Sequence, residues 1–80
     1  MNERLKFEGR RSLATLELRK IDLSIKTLIL VIRDELDPTA KLDHVDFEKA
    51  AANAVELGQK AIERAAIVAE IAAIDQALGR

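Results

Sequence analysis

The sequence predicts an all-α protein, an antiparallel hairpin of two long helices over about residues 3–36 and 43–78, which fills a single domain of residues 1–80. Two such hairpins are expected to pair into a homodimeric four-helix bundle. Three observations carry this expectation. Leu18, Ile21, Ile25, Leu28 and Ile32 recur at steps of three and four, which on a helix of about 3.6 residues per turn aligns them in one stripe. The chain is 49% hydrophobic and 34% charged with only three Gly and one Pro, a bias toward Ala, Glu, Lys, Leu and Arg that suits long helices rather than strands. The one proline, Pro38, stands in the only linker-like stretch, Asp37–Leu42, which is short enough to force the helices antiparallel.

The first helix has a cap at Asn2, with Glu3 near the positive end of the helix dipole. Gly9 costs about 1 kcal/mol relative to Ala in a helix interior, and Ser12 is an alternative N-cap, so residues 1–11 form either the first turns or a separate arm. The helix ends near Leu36, because Pro38 disfavours helical dihedrals at Asp37. Asp34 and Glu35 sit poorly at a helix C-terminus, so the proline rather than a good cap stops it.

The second helix is expected to start at Asp43 as N-cap, with Asp46 at N3 and Leu42 packing on Phe47 as a hydrophobic staple. Gly79 follows Leu78 as a C′ glycine should. Along this helix Phe47, Ala51, Ala54, Gly58, Ala61, Ala65, Val68 and Ala72 follow at steps of four and three, a small-residue seam that allows two helix backbones to approach closely. Ile67, Ile71, Ile74 and Leu78 add bulk beside it, and Lys49, Glu56, Glu63 and Glu70 mark a solvated side at intervals of seven.

A second apolar row on the first helix, Leu16, Leu23 and Leu30, lies nearly opposite the main stripe. One hairpin partner cannot cover both rows, so the missing neighbour is read as another copy of the chain. An 80-residue chain also needs help for its core, and with no Cys the remaining route is oligomerisation. The expected interface therefore combines Leu16, Leu18, Ile21, Leu23, Ile25, Leu28, Leu30 and Ile32 with Ala51, Ala54, Gly58, Ala61, Ala65, Val68 and Ala72. The partner is the chain itself, as an antiparallel homodimer or higher oligomer, with another helical protein as a further candidate.

Charge sets the orientation. Thirteen Lys+Arg against 14 Asp+Glu give a net charge of -1, which argues against a general nucleic-acid or membrane-surface binder. Residues 1–26 carry seven basic and four acidic side chains, whereas the remainder carries six and ten. The basic open end and the acidic bend of each hairpin favour copies running in opposite directions.

Chemistry is sparse. Asp43, His44, Asp46 and Glu48 cluster at the bend, but helical geometry spreads them and their spacing matches no established zinc or calcium motif, so no metal or cofactor is expected. Ser12, Ser24, Thr15, Thr27 and Thr39 have no histidine at helical spacing, and Gly9, Gly58 and Gly79 form no phosphate loop, so no enzyme is expected and no catalytic residue is assigned. Arg4, Lys6, Arg10 and Arg11 are the candidate phosphate contacts of an alternative, nucleic-acid-associated role. The charged start lacks an apolar signal segment, and the apolar run Leu28–Ile32 is far short of a membrane span, which places the protein in the cytoplasm.

The opening Asn2–Arg10, NERLKFEGR, and the ending Ile71–Arg80, IAAIDQALGR, resemble the ends of small, uncharacterised helical proteins of Mu-like phages and prophages. The resemblance covers fewer than 20 residues in two tags. It implies a phage-encoded accessory protein but no activity, and transfers no functional residue; the role expected from the helical architecture is that of a structural or protein-interaction module.

Overall fold

The structure, a computed structural model, describes residues 2–80. Helix α1 spans Glu3–Glu35 and helix α2 spans Phe47–Ala77, with a single 3-10 turn, Leu42–His44, between them. The two helices pack side by side in an elongated body of 62 × 18 × 14 Å. Side-chain contacts at Glu8–Arg80, Arg11–Asp75, Asp22–Arg64 and Glu35–Asn53 step up α1 as they step down α2, which fixes an antiparallel register.

Asn2 caps α1 by accepting from the Arg4 N–H at 2.9 Å. The helix continues through Gly9 and Ser12, so the first turns belong to α1 and no separate arm forms. Leu36 closes it with an N–H donated to the Ile32 carbonyl, and the Asp37 carboxylate then accepts from both the N–H and the hydroxyl of Thr39, at 2.9 and 2.7 Å. Those two donors, the backbone N–H first, hold the Asp37 carboxyl below its usual range.

The start of α2 differs from expectation. Asp46, not Asp43, is the N-cap, and its side chain accepts from the Lys49 N–H at 3.0 Å. Asp43 lies inside the 3-10 turn, and Val45 is extended at φ -91, ψ 124, so the α-helix cannot begin before residue 46. Leu42 and Phe47 are 74% and 57% exposed, and the expected staple is absent. With the cap at Asp46, the N′ and N4 positions fall to half-buried Val45 and buried Ala50.

The C-terminus of α2 follows the sequence. Gly79 takes φ 77, its N–H bonds the Gln76 carbonyl, and the Arg80 N–H reaches the Asp75 carbonyl at 2.8 Å, the paired bonds of a Schellman motif.

The core is a single seam. Ala14 and Ile21 of α1 and Ala50, Ile74 and Leu78 near and within α2 are buried, and Leu18, Ile25, Leu28 and Ile32 extend the α1 side half-buried. The predicted stripe of α1 is thus the face turned to α2. On α2 the facing positions are Leu57, Ile67, Ile71, Ile74 and Leu78, not the small-residue seam. Ala51, Ala54, Gly58, Ala61, Ala65, Val68 and Ala72 all lie exposed on the flank. The bulkier side chains reach across to α1 and gain more from burial than alanine does. No helix among the described residues is long and apolar enough to cross a membrane.

Candidate interaction surfaces

Leu16, Leu23 and Leu30 stand about 170° around α1 from the face that meets α2, as the 100° step per residue requires. They are 47%, 67% and 58% exposed. Seven-residue spacing keeps them in a single row along roughly 21 Å of helix at 1.5 Å per residue. Beside them Arg19, Lys26 and Arg33 form one cationic edge, with Lys20 on the other side. All four cations are exposed, and none is in an ion pair among the described residues.

α2 carries a matching outward row that the sequence reading did not single out. Val55 and Ile62 are 63% and 73% exposed, and Ala69 continues the same seven-residue interval. The signal was present in the spacing but weak, because alanines surround it on both sides. An acidic edge of Glu56, Glu63 and Glu70 runs parallel to the row. Only Glu63 of these has an ion-pair partner among the described residues, Lys60 at 3.8 Å.

Charges nearer the helix–helix seam are engaged. The Arg11 guanidinium donates to the Asp75 carboxylate at 2.5 Å, and the partnership holds the aspartate below, and the arginine above, its ordinary range, chiefly through that hydrogen bond. Arg64 pairs with Asp22 and Arg80 with Glu8, each at 2.6 Å. Asn53 donates to one Glu35 oxygen at 2.7 Å, while the other oxygen is buried without a partner.

The structure does not gather the four candidate phosphate contacts into one patch. Arg11 is tied to Asp75, Lys6 lies 3.7 Å from Glu3, and the Arg10 guanidinium sits over the Phe7 ring at 5.5 Å. Helical geometry turns Arg4 and Arg11 to one side of α1 and Lys6 and Arg10 to another. Comparison with known protein families, characterised proteins and solved structures finds no match. At the bend, Asp46 is committed to capping, and no group of three or more His, Cys, Asp or Glu side chains among the described residues is placed to hold a metal ion.

The surface is therefore a pair of exposed apolar rows with opposite charges at their edges. An exposed apolar stripe on a long helix is the kind of surface against which another amphipathic helix can pack.

Proposed function

We propose that this protein is a non-enzymatic structural or protein-interaction module, a cytoplasmic helical adaptor of phage or prophage origin that acts through self-association. Its smallest assembly is two hairpins running in opposite directions, a homodimer of four helices. The observation that supports this reading is the exposed row Leu16, Leu23 and Leu30 opposite the intramolecular seam. Isolated exposed apolar residues are ordinary on protein surfaces, whereas an aligned row at heptad spacing on a long helix is a helix-docking surface.

Sedimentation equilibrium tests the reading. The protein should be a dimer or larger at micromolar concentration, and Leu23→Glu should shift it toward monomer while helix content stays unchanged. A spin label at position 40 should lie nearer residue 8 of the partner subunit than position 40 of the partner subunit. A wild-type monomer at high micromolar concentration would defeat the proposal.

A further inference from the structure

The geometry points to a specific mate for the leucine row: the outward face of α2 on a second copy, so that each hairpin uses α1 on one side and α2 on the other. This rests on the self-association proposed above and assigns the surfaces that meet.

Spacing, charge and handedness support the pairing. Leu16, Leu23 and Leu30 match Val55, Ile62 and Ala69 at a constant offset of 39 residues. Arg19, Lys26 and Arg33 match Glu56, Glu63 and Glu70 at an offset of 37, so one register serves both rows to within two residues. Viewed from the N-terminus of each helix, the cationic edge lies roughly 60° anticlockwise of the leucines and the acidic edge roughly 100° clockwise of Val55 and Ile62. Two helices set face to face bring those edges to the same side only if α1 and the second copy's α2 run parallel.

The alternatives fit less well. Pairing α1 with α1 antiparallel brings two cationic edges together, and pairing them parallel sets acidic bend beside acidic bend; like charges across an interface select against both contacts. Pairing α2 with α2 leaves the three leucines bare.

Parallel α1 and α2 from different copies mean that the copies themselves are antiparallel, with the acidic bend of one beside the open end of the next and away from the next copy's own acidic bend. The contact is heterologous, because it joins unlike surfaces, so each added copy exposes a fresh leucine row and the assembly can extend as a row of hairpins. Surface area is in keeping with two used faces. The hairpin exposes 6185 Å², about 1,400 Å² more than the roughly 4,800 Å² of an ordinary monomer of its 8.9 kDa mass. Two contacts of about 700 Å² each would cover that excess, close to the ~800 Å² per partner of a stable interface.

Charge exchange tests the assignment. One variant carries Lys26→Glu with Arg33→Glu, the other Glu63→Lys with Glu70→Arg; all four positions are exposed, so circular dichroism should show both folded. In sedimentation velocity at low salt the wild type should grow beyond a dimer with concentration. Each variant alone should associate roughly tenfold more weakly or worse, and an equimolar mixture should regain wild-type association because acidic α1 then meets basic α2. A wild type that stops at a closed dimer, or a mixture no better than its components, overturns this pairing and leaves self-association standing. A monomeric wild type overturns both.

Discussion

Two isoleucines on α2 provide a direct test of which face is core, because the same substitution should act on them through different equilibria. Ile74 is 2% exposed and Ile62 is 73% exposed. Truncating a buried isoleucine to alanine removes its transfer free energy and leaves a partly uncollapsed cavity, a loss of about 2 to 5 kcal/mol. A domain of this size has roughly 4 to 12 kcal/mol in total, and a single-seam core belongs at the lower end. Ile74→Ala should therefore lower the melting temperature by roughly 10 °C or more, taking about 4 to 8 °C per kcal/mol for a domain of this size. Ile62→Ala removes a side chain that already meets water within the hairpin, and should change the hairpin's own stability by no more than about 0.5 kcal/mol.

The assay is thermal denaturation followed by circular dichroism over a dilution series. Ile74→Ala should be destabilised at every concentration. Ile62→Ala should match the wild type when dilute and fall behind only where copies associate, since binding between folded copies stabilises by mass action. Equal losses at the two positions in the dilute limit would refute the assigned orientation of α2. An unchanged Ile74→Ala would refute the core.

Three further outcomes are expected. Asp75 is held below its ordinary range by Arg11, so its contribution to stability is present at neutral pH and lost as the pH falls through the lowered value; the advantage of wild type over Asp75→Asn should shrink in denaturant titrations below about pH 4. Gly79→Ala should cost about 1 kcal/mol because its φ of 77 is left-handed, whereas Gly9→Ala should gain about 0.5 to 1 kcal/mol, since helix interior and open space await the added methyl group; urea midpoints of opposite sign of change check both. Ala61→Leu and Ala65→Leu should leave the dilute hairpin's melt within about 0.5 kcal/mol of wild type, because both alanines face outward. A large loss in that dilute melt would return the small-residue seam to the core.

The α1 face was legible in the sequence because bulky residues at steps of three and four stand out against charged neighbours. The same logic failed on α2, where alanines occupy nearly every side and several rows at steps of three and four have equal claim. Bulk decided between them: Leu57, Ile67, Ile71, Ile74 and Leu78 turn inward, leaving the small-residue seam on the flank. The cap position was similarly undecided, since Asp43 and Asp46 are equally good cappers and the choice follows from extended Val45. Arg11 could not be recognised as an intramolecular partner from sequence because its mate, Asp75, is 64 residues away. The exposed leucine row was legible, but the charge edges acquire meaning only once the inward face fixes which side of each helix is out.

Two features of the chain favour the same orientation for the copies in the proposed assembly. One is coarse, the repulsion that keeps two acidic bends apart; the other is the handedness of the edges that flank the apolar rows. They differ in reach and therefore in response to salt. Repulsion between bends acts over distances comparable to the Debye length, about 8 Å at physiological ionic strength and about 3 Å at 1 M, and fades as salt is added. The flanking edges act only once the rows are in contact, where salt screens partly buried pairs less. Apolar burial along Leu16, Leu23 and Leu30 does not depend on charge, so added salt should first relax the orientation of the copies and then their register. In the proposed assembly affinity would thus reside in the rows, and direction in their edges.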